Sequence, residues 1–523
     1  MSFPLLTATA ALPAIGAIAT AAVPAARRTA AKWLALLVSL GTLALAAVVF
    51  VRFEPGGPRY QMTESHAWIK DFGVRYELGV DGIGLALLGL TALLIPFIIL
   101  AGWHDADPLE TQSKRWRPTQ GFFAMILMIE AMVILSFEAT DVFVFYILFE
   151  AMLVPMYFLI GGYGDRAHAG SDENATKQRS YAAVKFLLYN LAGGLAMLAA
   201  VIGLYVVAGS FSLSEIVEAR ANGSLEMATT TERWLFLGFF FAFAVKAPLW
   251  PLHTWLPNAM GETTAPVAVL ITAVMDKVGT FAMLRFCLGL FPEASKWATP
   301  VIIVLALISI IYGALLAIGQ RDIKRLIAYA SISHFGFIVL GIFALTSQGQ
   351  SGATLYMVNH GLSTALLLLI AGFLITRRGS RLIADFGGVQ KVAPVLAGTF
   401  LIGGLATLSL PGLAPFVSEF LVLVGAFAAY PAAGIIATIA IVLAAIYVLV
   451  LYQRTMTGPV RSEVRHMPDL RLRELAVALP LVGMLILLGV FPKPVTDVVN
   501  PAVQHTMHDV QKQDPQPEVE AAK

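Results

Sequence analysis

The sequence predicts an all-α integral membrane protein with about 14 transmembrane helices. Of its 523 residues, 58% are hydrophobic and only 13% are charged, a balance typical of membrane proteins rather than soluble ones. Apolar runs of roughly 18 to 26 residues recur along the chain, and each is long enough to cross a hydrocarbon core about 30 Å thick. Proline interrupts two of the runs, which is typical of membrane helices broken beside a polar cavity.

Each apolar run predicts one transmembrane element. The first run is followed by Arg27 and Arg28 and has no basic region before it, so we expect a retained helix rather than a cleaved signal peptide. In chain order the predicted spans are 3–23, 33–52, 80–102, 119–137, 140–162, 181–208, 233–258, 264–290, 299–319, 324–346, 353–376, 393–429, 433–453 and 474–492.

The two interrupted runs predict an internal repeat. In the run 233–258 the prolines follow Lys246, and the run 393–429 is too long for one span and contains SLPGLAPFVSEF. These broken helices lie five helices apart, so matching helices run in opposite directions, as in inverted-topology repeats. The predicted units are three N-terminal helices in 1–118, a first five-helix repeat in 119–290, a second in 299–455, a final helix in 456–492 and a polar C-terminal tail in 493–523.

The loops predict the orientation of the chain in the membrane. If the N-terminus faces outward, the alternate, inward loops hold most of the 35 Lys and Arg residues. This asymmetry follows the positive-inside rule and predicts that both termini face outward. The last 14 residues, VQKQDPQPEVEAAK, are polar and are expected to be disordered.

Six ionisable residues lie inside the predicted spans, near mid-depth, on six different helices. A charge at that depth costs about 2.5 to 3.5 kcal/mol on insertion scales, so each requires a partner or a water-filled path. Together they could exchange protons and neutralise one another, with histidine titrating near neutrality. For a single residue the alternative is a satisfied ion pair that fixes helix packing. The six residues are Glu150, Lys246, Lys277, His334, His360 and Glu419.

Other polar residues in the spans carry less specific predictions. Glu130 could flank the six or pair locally, and Asp276 faces a different side of its helix from Lys277. Lys185 and Arg285 are expected to extend their charged ends to the membrane surface. His253 lies within the proline break, where it could bond freed carbonyls or carry protons.

Several functional classes are excluded by the sequence. The single cysteine, Cys287, rules out an intrachain disulfide and a cysteine-ligated cluster. No glycine-rich nucleotide-binding motif occurs, and no basic patch with interleaved aromatic residues indicates nucleic acid. No metal-ligand spacing or Ser-His-Asp arrangement is present. We therefore expect no cofactor, metal or nucleic acid on this chain.

Four segments resemble the antiporter-like subunits of respiratory complex I, and most closely the subunit M family (NADH-quinone oxidoreductase chain M). They are DVFVFYILFEAMLVPMYFLIGGYG, KAPLWPLHTWLPNAMGETTAP, MDKVGTFAMLRF and QRDIKRLIAYASISHFGF. The resemblance covers roughly residues 80 to 455. MGETTAPVAVLITAVMDK departs from the commonest subunit M pattern, whereas the short polar ending and the carboxylate Glu419 argue for subunit M over subunit L.

The resemblance implies a role for each of the six residues. Glu150 would be the fifth-helix glutamate, paired with the broken-helix lysine Lys246. Lys277 would be the middle lysine and Glu419 the terminal carboxylate, with His334 and His360 bridging them through water. The implied function is outward proton translocation in a bacterial inner membrane.

The resemblance also implies how that translocation is driven and with which partners. Energy would come from subunits that carry flavin, iron–sulfur clusters and quinone. The implied partners are the other membrane subunits of complex I, especially the flanking antiporter-like subunits, together with the lipid bilayer, protons and water. Two alternatives stay open on the sequence: a subunit of a multi-subunit sodium/proton antiporter, and a non-conducting structural subunit.

Overall fold

A computed structural model of the chain describes residues 3–107, 118–164 and 172–515. The part described is a bundle of helices with one short β-hairpin. In chain order the α-helices are α1 (Leu5–Ala22), α2 (Arg28–Arg52), α3 (Gly82–Ala101), α4 (Thr119–Glu138), α5 (Val142–Ala151), α6 (Leu153–Gly162), α7 (Asp172–Ala208), α8 (Leu213–Ala221), α9 (Thr229–Lys246), α10 (Leu256–Glu262), α11 (Ala265–Val269), α12 (Lys277–Ala282), α13 (Pro292–Ile318), α14 (Ile323–Phe343), α15 (Ser347–Arg378), α16 (Pro394–Thr407), α17 (Ala414–Ala429), α18 (Pro431–Met456), α19 (Leu472–Val490) and α20 (Lys493–Asp509).

Within the described ranges, 12 helical stretches are long and apolar enough to cross a membrane. The predicted all-α membrane class is confirmed. The predicted count of about 14 spans is not confirmed, because the predicted spans 233–258 and 393–429 consist of shorter helices separated by breaks. The inverted relation between the two five-helix units stays a prediction.

The first break follows Lys246, the last residue of α9. Pro248, Pro251 and Pro257 lie between or at the start of the next helical turns, where they prevent the helix from continuing. The indole nitrogen of Trp255 donates to the carbonyl of Val245 at 3.0 Å, so one freed acceptor is satisfied inside the bundle. The chain then continues into α10.

The second break separates α16 from α17. Ser409 has a backbone φ of 59°, in the left-handed region, and Gly412 follows with a φ of 92°. Pro415 lies in the first turn of α17, where its fixed φ suits a helix start. The left-handed residues therefore end α16, and a new helix, α17, starts just before Glu419.

The helix between α10 and α13 changes its hydrogen-bonding pattern twice. α11 leads into a π-helical segment, Leu270–Met275, and α12 leads into a second one, Met283–Leu288. The whole stretch Ala265–Leu288 is buried inside the bundle. π-Helical segments insert an extra residue into a turn and are frequent at functional sites. Lys277 begins the α-helical part between them.

A β-hairpin between α2 and α3 was not expected from the sequence. Strand β1 (Gln61–Ile69) pairs antiparallel with β2 (Val74–Val80), and Gly73 adopts the left-handed conformation that the turn requires. Leu78 also forms a bridge with Ala139 after α4. The hairpin therefore joins the ends of the neighbouring membrane helices on one side of the bundle.

The segment predicted as a polar tail contains the amphipathic helix α20. Its buried side includes Val499, Val503 and Met507, which recur at helical spacing. Asp509 forms an ion pair of 2.5 Å with Arg59, and the Ser347 amide donates to Asp514 at 2.7 Å. Of the ending VQKQDPQPEVEAAK, residues 516–523 lie outside the described residues.

Candidate functional site

Four of the six predicted residues lie in one buried row with a tyrosine. We call this row, Lys277–His360–His334–Tyr356–Glu419, the histidine segment. The Lys277 ammonium nitrogen lies 2.6 Å from Nδ1 of His360, and Nδ1 of His334 lies 2.5 Å from the hydroxyl of Tyr356. That hydroxyl donates to Oε2 of Glu419 at 2.8 Å. All five side chains are buried.

The hydrogen bonds determine which ring nitrogens carry hydrogen. A protonated Lys277 can only donate, so His360 accepts at Nδ1 and carries its hydrogen on Nε2. Tyr356 donates to Glu419, so His334 donates from Nδ1 and its Nε2 is an acceptor. The two Nε2 atoms have no hydrogen-bond partner among the described residues, and the ring centroids are 5.3 Å apart. With these assignments, His360 has a free donor and His334 a free acceptor.

Close helix packing brings these groups together. Tyr356 and His360 are four residues apart on α15 and therefore lie on one face. A Cβ atom added to Gly352 would lie 2.7 Å from the backbone nitrogen of Val422, so α15 and α17 approach almost backbone to backbone. This approach places Glu419 against Tyr356. The hydroxyl of Ser409, from the second break, also donates to Oε2 of Glu419.

The other end of the predicted relay is built differently. We call Glu150, Lys246 and Lys277 the lysine segment. The Lys246 ammonium group is fully buried, donates to the carbonyl of Phe149 at 2.7 Å and lies 3.7 Å from the centroid of the Phe149 ring. The ring face stabilises the cation, and the carbonyl accepts one of its three hydrogens.

Glu150 follows Phe149 directly but is half-buried on α5. Its carboxyl group lies against Gly194 of α7, where an added Cβ atom would be only 1.9 Å from Oε1. Oε1 has no hydrogen-bond partner among the described residues. Lys246 is thus bonded to the backbone beside Glu150 rather than to the carboxylate, and the paired state of these two residues stays a prediction.

Three of the less specific predictions have a clear outcome. The Lys185 ammonium group donates to the side-chain oxygen of Asn258 at 3.0 Å and so links α7 to α10. The expectation that Arg285 extends to the membrane surface is wrong: its guanidinium is buried, pairs with Asp81 at 2.8 Å and donates to the carbonyl of Phe137. His253 packs against the ring of Tyr312, with centroids 5.1 Å apart.

Two of the acids singled out in the sequence, Glu130 and Asp276, are buried without a hydrogen-bond partner among the described residues. Both carboxyl oxygens of Glu130 and both of Asp276 are buried without a hydrogen bond among the described residues. Within the same ranges no group of three or more His, Cys, Asp or Glu residues could hold a metal ion.

Comparison with known proteins decides the family. The profile of the family described as "NADH:quinone oxidoreductase/Mrp antiporter, TM" matches residues 139–444. NADH-quinone oxidoreductase subunit M of Mycobacterium tuberculosis is 54% identical to this chain, over 97% of it and 95% of that protein. The chain belongs to the family of NADH-quinone oxidoreductase subunit M.

Solved structures agree with this assignment. A chain of respiratory complex I from Thermus thermophilus with bound NADH superposes with a TM-score of 0.84 at 30% identity, covering 97% of this chain and 99% of that one. A chain of the Mrp complex from Dietzia sp. DQ12-45-1b has a TM-score of 0.83 at 19% identity, with 98% and 100% covered. At that identity the second match shows a shared fold only.

Sequence reasoning missed Tyr356, a member of the histidine segment, and Ser409, which donates to its last residue, Glu419. Both carry hydroxyl groups, which are common in membrane helices and do not stand out as buried charges do. The spacing of Tyr356, four residues before His360, was the available signal. For Ser409 it was the position inside the proline break.

Proposed function

We propose that protons cross the membrane through this chain along the lysine segment and then the histidine segment. As a member of the subunit M family, the chain is a proton-translocating, antiporter-like membrane subunit of an NADH-quinone oxidoreductase. The proposal adds a route: from Lys246 to Lys277, then through His360, His334 and Tyr356 to Glu419. The observation that carries it is the buried row from Lys277 to Glu419, in which hydrogen bonds join Lys277 to His360 and join His334 through Tyr356 to Glu419.

Each proposed transfer along the histidine segment conserves protons and charge. The Lys277 ammonium gives a proton to Nδ1 of His360, leaving a neutral amine and an imidazolium. His360 then gives its Nε2 proton to Nε2 of His334. Finally the Nδ1 proton of His334 passes to the Tyr356 oxygen while the Tyr356 hydroxyl proton passes to the Glu419 carboxylate. Both histidines and the tyrosine end uncharged, with their hydrogens exchanged between ring nitrogens.

The proposed control lies at Glu150. When its carboxylate approaches Lys246 it stabilises the ammonium form, and when it moves away the buried ammonium is stabilised only by the Phe149 carbonyl and ring. Two unit charges 4 Å apart interact by about 4 kcal/mol at an effective dielectric constant of 20. That is enough to change the occupancy of Lys246 by orders of magnitude, since about 1.4 kcal/mol is a tenfold change.

We also propose the setting in which this occurs. The chain carries no redox cofactor, and flavin, iron–sulfur clusters and quinone belong to partner subunits. Its neighbours are the flanking antiporter-like subunits in a bacterial inner membrane. Both termini face outward, in agreement with the distribution of Lys and Arg among the loops. Protons are released on the side of the termini.

Substitution of Lys246 by Ala tests the proposal. In membrane vesicles that contain the assembled complex, we expect NADH-driven proton uptake to fall to the background level, because the side chain that delivers protons to Lys277 is gone. Lys32→Ala is the matched control, since Lys32 is a buried lysine paired with Asp107 at 2.6 Å outside both segments. Unchanged proton uptake per electron in Lys246→Ala overturns the route. Normal assembly with lost uptake excludes a purely structural subunit.

A further inference from the structure

Two steps of the proposed route have no hydrogen bond among the described residues: the step from His360 to His334, whose ring centroids lie 5.3 Å apart, and the step from Lys246 to Lys277. Among the described residues no hydrogen bond joins Lys246 to Lys277: the first donates to Phe149 and the second contacts His360. The Lys246 ammonium group lies over the ring of Phe149, which cannot accept or donate a proton. A group that exchanges protons with both lysines would connect them.

Asp276 is the ionisable group at this position. It is fully buried, and both of its carboxyl oxygens lack a hydrogen-bond partner among the described residues. Leaving a buried polar group unpaired costs about 1 to 3 kcal/mol, and more for a charged group, so native proteins rarely retain one without a function. Nothing in the packing of the described chain explains this carboxyl group.

Helix geometry directs Asp276 and Lys277 to different neighbours. The Asp276 amide bonds to the carbonyl of Ile271, five residues back, at the end of the first π-helical segment. Consecutive helical residues point about 100° apart. Lys277 faces α15, where it meets His360, and Thr280, three residues later on the same side, contacts Met357.

Another side of the same helix packs against α9. A Cβ atom added to Gly279 would lie 3.0 Å from both the Phe243 carbonyl and the Ala247 amide, at the end of α9 around Lys246. Asp276 is three residues before Gly279 and four before Thr280, so it lies between the side that faces α9 and the side that faces α15. The carboxyl group interacts electrostatically with Lys277 and with Lys246, as expected for a position between them.

We propose that Asp276 carries the proton from Lys246 to Lys277. This inference rests on the proposed route and adds a residue to it. In the first step the Lys246 ammonium gives a proton to the Asp276 carboxylate, leaving a neutral amine and a neutral carboxylic acid. In the second step the acid gives that proton to the Lys277 amine, which restores the carboxylate and forms the ammonium that donates to His360. After the transfer Asp276 is again a carboxylate, and the positive charge has moved from Lys246 to Lys277.

The test is the isosteric substitution Asp276→Asn in the full complex. We expect the initial rate of NADH-driven proton uptake into vesicles to fall about tenfold or more, because a positioned acid–base group contributes roughly 10² to 10⁴ to a proton-transfer step. NADH oxidation with an artificial electron acceptor should stay at the wild-type rate and report intact assembly. Asp276→Glu, which keeps a carboxyl group, should recover most of the lost rate.

Glu138→Gln is the matched control. Glu138 on α4 is also fully buried with two unpartnered oxygens, so this variant removes a similar carboxyl group outside the route. Its proton uptake should match wild type. Wild-type uptake in Asp276→Asn overturns the role of Asp276. If Lys246→Ala is defective at the same time, the route itself stands and only Asp276 is wrong.

A second measurement decides the case in which Asp276→Asn fails to assemble. Infrared difference spectra between the oxidised and reduced complex report carboxyl groups that change protonation. A band of a protonated carboxyl that shifts between wild type and Asp276→Glu is expected. Identical spectra for the two proteins would overturn the proposal.

Discussion

The lysine segment and the histidine segment contain the same kind of groups but connect them differently. In the histidine segment short hydrogen bonds link Lys277 to His360 and link His334 through Tyr356 to Glu419. In the lysine segment Lys246 is bonded to a backbone carbonyl, and Glu150 has a carboxyl oxygen without a partner among the described residues, as does the adjacent Asp276. The histidine segment is hydrogen-bonded except between its two imidazole rings, whereas, within the described part of the chain, no hydrogen bond joins the three members of the lysine segment.

This difference indicates where transport can be controlled. A hydrogen bond passes a proton by a small shift of the hydrogen atom, and most steps of the histidine segment have one. Lys246 contacts a backbone carbonyl and a phenylalanine ring, neither of which can take its proton. Under the proposed route, control of transport would therefore act on the lysine segment.

The largest effect is expected at Lys277, which both segments share. Lys277→Ala should abolish proton uptake, because neither segment can exchange protons with the other. Lys277→Arg keeps the positive charge but cannot release a proton at physiological pH, so it should also abolish uptake. Measurement of NADH-driven proton uptake in both variants shows whether Lys277 acts through its positive charge or by releasing a proton. Recovery of uptake in the Arg variant would show that Lys277 acts only as a fixed charge.

An intermediate effect is expected at Tyr356. Tyr356→Phe removes the hydroxyl between His334 and Glu419 and should slow proton uptake by about tenfold, the loss of one good link of roughly 1.4 kcal/mol. The complex should still assemble, because phenylalanine fills the same volume. Tyr452→Phe, at a half-buried tyrosine on α18 outside the row, serves as control. Equal rates in the two variants would remove Tyr356 from the route.

The smallest effect is expected at Gly194, which tests the movement of Glu150. The Cβ atom of Gly194→Ala would occupy the present position of Oε1 and force the carboxyl group to rotate. We expect a change of about twofold to fivefold in uptake rate, since the displacement costs on the order of 0.5 to 1 kcal/mol. Gly398→Ala, where an added Cβ atom meets nothing within 4 Å, is the control. A rate equal to that of the control would show that the position of Glu150 does not limit transport.

The sequence was informative wherever burial of a group is expensive. Charged residues in apolar runs identified Lys246, Lys277 and Glu419, and proline identified the breaks near them. The sequence could not reveal that Arg285 pairs with Asp81, because the partners are 204 positions apart and both look like ordinary surface charges. The hairpin 61–80 was missed because a short amphipathic stretch between membrane helices has no strong pattern.

The unpartnered state of Asp276 was also beyond sequence reasoning. Its neighbour Lys277 invites the interpretation of a local pair, and consecutive residues on a helix do point apart. Only the packing of Gly279 against α9 and of Thr280 against α15 shows that Asp276 lies between the sides that face these two helices. Charged residues within apolar runs thus identify the buried ionisable groups. Their hydrogen-bond partners depend on how the helices cross, which the sequence pattern does not predict.

Ser409 has an energetically unfavourable backbone conformation, and its side chain bonds to the carboxylate of Glu419. A left-handed conformation at a residue other than glycine is unfavourable by roughly 1 to 2 kcal/mol. Glycine would relax the chain at this corner but has no hydroxyl to offer Glu419. Ser409 keeps this unfavourable backbone conformation, and its hydroxyl group holds the carboxylate of Glu419 in a fixed orientation from outside α17.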